Sequence, residues 1–221
     1  MKKWIALGFA VIAAFLLLLL PNEPKKQYFH HQGNIFGTYY NIRYEGTKDL
    51  HEDIQRRLQA FDHSLSMFNP NSVISQVNRN EHVVTDSLFE AMYLEAHRVS
   101  LLSDGAFDIT VAPLVHAWGF GKKTQDPKAK EQDINIDSLK ALVGYEKIHL
   151  ENHRIVKDNE HITLDASAIA KGYACDVVAD LLRQNGCNNL LVDIGGEVVL
   201  QGVNQKGEAW RVGISRPKID A

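Results

Sequence analysis

The segment DASAIAKGYACD, residues 165 to 176, holds the residues of this chain best suited to chemistry. It passes from strand-forming to helix-forming sequence within a few residues, so the first N–H groups of the helix are left unpaired and face one side. Lys171 is expected in the first turn, where its charge opposes the helix dipole by a few tenths to about 1 kcal/mol. That placement makes sense if an anion is held between the ammonium and the helix terminus, with Gly172 leaving room for close approach. The alternative is a lysine swung out to solvent on an ordinary helix. Asp108, in GAFDITV, has two readings as well. It accepts hydrogen bonds from a ligand's ribose or base, or it satisfies nearby backbone N–H groups, the commoner role of such aspartates. Asp193, in LLVDIGGE, is expected to orient the glycine turn beside it. His116 and Trp118, next to GFG, read as core or surface residues. No His, Cys or Asp spacing suits zinc, and there is no GxSxG elbow, P-loop or GxGxxG.

Positioning these residues requires a framework of strands and helices. Residues 35–44 are rich in β-branched and aromatic types and read as a strand interrupted by Gly37. After Thr47, a helical pattern puts Leu50, Ile54, Leu58, Phe61 and Leu65 on one face. A second follows Asp86, with Leu88, Met92, Val99 and Leu102 near one stripe and Gly105 placed to end it. Between them SMFNPNSVISQVN forms turns and runs into a short apolar pattern. Short strands are expected at residues 147–150, 154–157 and 162–165. The clearest helix covers residues 169–185, with Ile169, Tyr173, Val177 and Leu181 in one row and Ala170, Ala174, Val178 and Leu182 in the next. Gly186 caps it. LLVDI, EVVLQG and WRVGIS then read as consecutive strands, the first two joined by the Gly195-Gly196 turn. Helices flanked by mostly antiparallel strands make this an α+β domain. Cys175 and Cys187 would lie about 18 Å apart along the helix, too far for a disulfide. With a net charge of -3 and no basic stripe, the chain does not read as a nucleic-acid binder.

The N-terminus differs from the rest. Lys2 and Lys3 precede an apolar run from Trp4 to Leu20, which proline ends. Its seventeen residues rise about 26 Å, close to the ~30 Å hydrocarbon core of a bilayer. Residues 1–20 therefore read as an uncleaved signal anchor, with a cleaved signal peptide as the lesser alternative. Residues 21–33, including His30 and His31, read as a tether, and residues 34–221 as the folded domain. The count of flanking lysines slightly favours export of that domain.

FGTYYNIRY, SMFNPNSVISQVN, GAFDITVAP with HAWGFG, DASAIAKGYACD and LLVDIGGEVVLQG occur in the order expected of one family. From residue 35 to its last residue the chain resembles the ApbE family of FAD:protein FMN transferases. The resemblance implies a T-fold-related α+β domain on the periplasmic side of the inner membrane. It implies cleavage of the FAD pyrophosphate and transfer of FMN, through a phosphoester, to a Ser or Thr of an acceptor protein, with release of AMP. Acceptors of the family include subunits of membrane redox complexes. Magnesium acts as a charge clamp on the pyrophosphate. By motif position Phe36 and Phe68 contact the flavin nucleotide, Ala106, Phe107 and Asp108 line it, and Asp165 and Lys171 complete its site. The carbonyl of Ala168 would be one metal ligand. The family more often has Met at the position of Phe36 and Tyr at that of Phe68, so a phenol hydrogen bond is lost here. Members typically continue for about a hundred residues more, with a His-Ile-x-Asp-Pro segment and the Asp and Thr that bind magnesium. Alternatives to transfer are an FAD-binding module or pseudoenzyme, and a magnesium-dependent FAD pyrophosphatase that uses water as acceptor.

Overall fold

A computed structural model describes residues 25–120 and 135–214. The expected anchor lies outside the described residues, and among these no helix is long and apolar enough to cross a membrane. The architecture is α+β. Strands β1 (Gln27–Ile35) and β2 (Thr38–Gly46) form an antiparallel hairpin. Its two-residue turn has Phe36 and Gly37 at φ 53° and 71°, the left-handed pair that matches strand twist. Residues 27–33, expected in the tether, are most of β1. They are too polar to signal a strand by pattern, but main-chain pairing with β2 along the sheet edge holds them. His30 and His31 therefore belong to the sheet; His30 Nε2 lies 2.8 Å from Asn41 Oδ1.

Helix α1 (His51–Leu65) buries Ile54, Leu58, Phe61 and Leu65, with Leu50 just before it. It starts four residues beyond Thr47, where Asp49 accepts a hydrogen bond from the His51 N–H at 2.8 Å. The SMFNPNS turn leads into α2 (Val73–Asn78), capped by Ser72. Helix α3 (Ser87–Leu102) begins at Asp86, whose carboxylate accepts from the Phe89 N–H at 2.8 Å and from Ser64 Oγ at 2.7 Å. Its buried face is Phe89, Met92, Tyr93, Ala96 and Ser100, rotated from the expected stripe, and Leu102 is 74% exposed. The two large rings decide this: Phe89 is fully buried, and Tyr93 reaches across to donate to the Ile148 carbonyl. Gly105 ends the helix as expected, its N–H bonded to the Ser100 carbonyl.

A 3₁₀ turn (Ile109–Val111), α4 (Ala112–Ala117) and α5 (Ile136–Lys140) precede the small hairpin of β3 (Ile148–Glu151) and β4 (Arg154–Lys157). Lys157 Nζ donates to the Val77 carbonyl and Asn80 Oδ1, and burial pushes its pKa down to about 8. The expected strand at 162–165 does not form. Leu164 is buried, but its N–H and carbonyl both bond the Asn78 side chain, at 2.7 and 2.9 Å, instead of a ladder. Helix α6 (Ser167–Gln184) follows, then β5 (Leu190–Ile194) and β6 (Glu197–Gln201), joined at Gly195-Gly196. The main sheet has the order β1-β2-β5-β6, all antiparallel. Among the described residues no strand forms from residues 210–214 of the WRVGIS segment. Beyond β6 a single bridge among the described residues, Val203 to Ala209, continues the pairing, and residues 211–214 are exposed.

Helices α1 and α6 pack over one face of the sheet around Ile42, Tyr44, Val192 and Ile194, and α3 packs against those two helices. Tyr44 is fully buried; its hydroxyl accepts from the Leu50 N–H at 2.6 Å and donates to Asp49 at 3.2 Å. Both cysteines are free and buried, as expected, and burial pushes the Cys175 thiol up to about 12.

Candidate functional site

The corner where the chain enters α6 is built from main-chain hydrogen bonds. Asp165 N–H donates to the Ile109 carbonyl at 2.7 Å, and Asp165 Oδ1 accepts from the Ser167 N–H at 2.7 Å. The Ala166 carbonyl takes the N–H groups of Ile169 and Ala170. Among the described residues the Ala168 N–H has no partner, so one donor of the helix start is available. The helix begins at Ser167, two residues earlier than expected, which moves Lys171 just past the first turn. There the dipole's opposition to its charge is weaker than at the terminus. Where a Cβ on Gly172 would lie there is open space.

Lys171, with Ser167 and Ala170, forms one wall of a cavity of about 300 Å³. The end of α1 and the loop after it supply a second wall, from Leu65 to Phe68, and Phe36 and Thr38 of the β1–β2 hairpin a third. Its floor is aromatic: Phe36 packs on Phe61 at 5.3 Å between ring centroids, and Phe61 meets Tyr173 edge-on at 5.5 Å. Phe36 holds φ 53°, a conformation that costs a non-glycine residue about 1–2 kcal/mol and turns the chain tightly beside the cavity. Phe68 stands 63% exposed at the mouth. Ser66 presents it, accepting through Oγ from the Phe68 and Asn69 N–H groups, while its carbonyl accepts from Ser72 Oγ.

Phe36, Phe68 and Lys171 are thus brought together. Ala106, Phe107 and Asp108 are not on this cavity's walls. Asp108 Oδ1 accepts from both the N–H and the Oγ1 of Thr110, each at 2.7 Å, which is the backbone-satisfying alternative. Phe107 packs half-buried on the core, and the segment joins the corner through the Ile109–Asp165 bond. Asp165 stands just ahead of the helix and accepts from the Ser167 N–H, and Ala168 is exposed beside it. Asp193 takes its expected structural place, accepting from the Gly196 N–H at 3.1 Å. Among the described residues no three His, Cys, Asp or Glu side chains converge on a point that could hold a metal ion. The carbonyl of Ala168 and the Asp165 carboxylate do not by themselves make a magnesium site. Thr38, Phe61 and Ser66 were not legible as site residues. Phe61 carries only the helical periodicity of a core position, whereas the turn-rich SMFNPNS is a signal that could have singled out Ser66.

The chain matches the ApbE family over residues 36–221. It is 34% identical over its whole length to a Vibrio cholerae FAD:protein FMN transferase, of which it covers 67%. It is 32% identical to the Haemophilus influenzae protein of the same description, covering 66% of it, and 33% identical to that of Escherichia coli, covering 56%. The chain thus spans between about half and two thirds of the length of these relatives. Among solved structures, the flavin transferase ApbE from Vibrio cholerae superimposes with a TM-score of 0.78 at 34% identity, covering 87% of this chain and 65% of that one. The apo form of Pseudomonas stutzeri flavinyl transferase ApbE gives 0.72 at 28% identity, covering 86% and 63%.

Proposed function

The chain belongs to the ApbE family, and from that premise we propose that it binds FAD at the Lys171 corner and transfers FMN to a Ser or Thr of an acceptor protein, releasing AMP. The observation that carries this reading is the meeting of Phe36, Phe68 and Lys171, far apart in sequence, around one cavity. An apolar, aromatic floor with a few polar groups at one side suits a ring system joined to a charged group. Phe68 stacks on the flavin, Phe36 supports it, and Lys171 offsets the pyrophosphate charge together with the free Ala168 N–H. Ala106, Phe107 and Asp108, tied to the same corner, border the rest of the nucleotide, and Asp165 keeps the helix start in place.

Magnesium, if bound, would supply a charge clamp for the pyrophosphate, and the Ala168 carbonyl would be one contact to it; the described residues supply no carboxylate cluster that would hold it. Residues 1–20 hold the domain at the inner membrane, facing the periplasm, where the acceptor is a subunit of a membrane redox complex.

Incubating the full chain with FAD, magnesium and a Ser/Thr-bearing acceptor, then reading flavin fluorescence in a denaturing gel, tests the proposal. A fluorescent acceptor band that disappears with EDTA is the expected result. The absence of a metal-ligating cluster among the described residues favours a second reading, FAD binding without transfer. FAD binding unaffected by magnesium, with no labelled band and no AMP, would establish that reading. AMP release without a band would identify water as the acceptor.

A further inference from the structure

We infer that Gly195 is a positioning residue for Lys171, and that the β5–β6 turn sets how far the lysine reaches into the cavity; this rests on the FAD-binding reading above. Gly195 has φ 59° and donates its N–H to the Tyr39 carbonyl at 2.9 Å, which docks the turn on the start of β2. A Cβ at Gly195 would lie 2.8 Å from Thr38 Cγ2, 3.0 Å from Thr38 Oγ1 and 3.3 Å from Lys171 Cδ. Thr38 and the aliphatic stem of Lys171 therefore both border the space beside Gly195, and both of those side chains line the cavity. Thr38 cannot move aside easily. It is β-branched, with a stiff χ1, and its backbone pairs with Ile35 to close the β1–β2 hairpin. A methyl group at this position meets Thr38 first and so shifts the turn itself, which carries with it the turn's contact with the Lys171 stem.

The next residue provides the control. Gly196 also has a positive φ, 93°, in the same turn, yet nothing lies within 4 Å of where its Cβ would be. Gly195→Ala and Gly196→Ala both carry backbone strain, but only the first touches Lys171. The experiment is FAD affinity of the full chain by equilibrium titration, with thermal midpoints recorded, for Gly195→Ala, Gly196→Ala, Lys171→Ala and Gly195→Ala/Lys171→Ala. Gly195→Ala is expected to weaken FAD binding roughly tenfold, and to add little once Lys171 is already alanine. Gly196→Ala is expected to lower the midpoint while keeping affinity within about twofold. Equal losses of affinity in the two glycine variants, or a Gly195→Ala effect that persists undiminished without Lys171, overturns the inference and leaves the binding site standing. An unchanged affinity in Lys171→Ala overturns the site and the inference together.

Discussion

A lysine with no ion pair among the described residues, half-buried at the edge of an apolar cavity, is the residue on which binding of an anion most depends. Lys171→Ala is expected to weaken FAD binding by roughly tenfold or more, because a charge-assisted contact is lost; the thermal midpoint should stay near that of the parent. Titration and a melting curve on the same sample check both halves. Tyr44 is the opposite kind of residue, fully buried and serving the fold. Tyr44→Phe strips the Leu50 N–H of its acceptor and should destabilise by about 1–3 kcal/mol, read by urea denaturation. His31, on β1, adds a dependence on pH. Its Nε2 lies 2.9 Å from Asp49, its ring is 4.5 Å from that of His51, and burial, outweighing Asp49, lowers its pKa below the usual 6.5. The unfolded chain then takes up this proton first, so stability is full at neutral pH and falls as pH drops below about 6.5. His31→Gln is expected to flatten the stability profile between pH 7 and 5.

At the scale of elements, the handover into α6 depends on a side chain standing in for a strand. Asn78 bonds both main-chain groups of Leu164, one residue before Asp165. Asn78→Ala leaves those buried groups unpaired and should cost about 1–3 kcal/mol. It should also lower FAD affinity, because the corner that aims Lys171 loosens; denaturation and titration on one variant measure the two effects. The periodicities of α1 and α6 were readable because both helices bury one continuous apolar stripe against the sheet. That of α3 misled at Leu102. It faces outward, and the rings of Phe89 and Tyr93 chose the inward face. Strand β1 was hidden for a related reason: an edge strand is held by backbone pairing, which leaves its side chains free to be polar.

For the molecule as a whole, the proposed anchor predicts that the full chain sediments with membranes and resists carbonate extraction, and that deleting residues 1–24 releases it to the soluble fraction. A chain that stays soluble with residues 1–24 present would remove the membrane from the proposal. Fold class, the order of the main helices and strands and the unpaired cysteines were all determined by the sequence alone. Each is written in local patterns of one or two turns of chain, where apolar spacing and glycine placement act directly on the backbone. Tertiary structure alone decided that Phe36, Phe68 and Lys171 share a cavity while Asp108 turns to Thr110, and that Asn78 replaces a strand. Those outcomes depend on which distant segments the antiparallel sheet and the helices packed above it bring into contact, and packing of the common core chooses them.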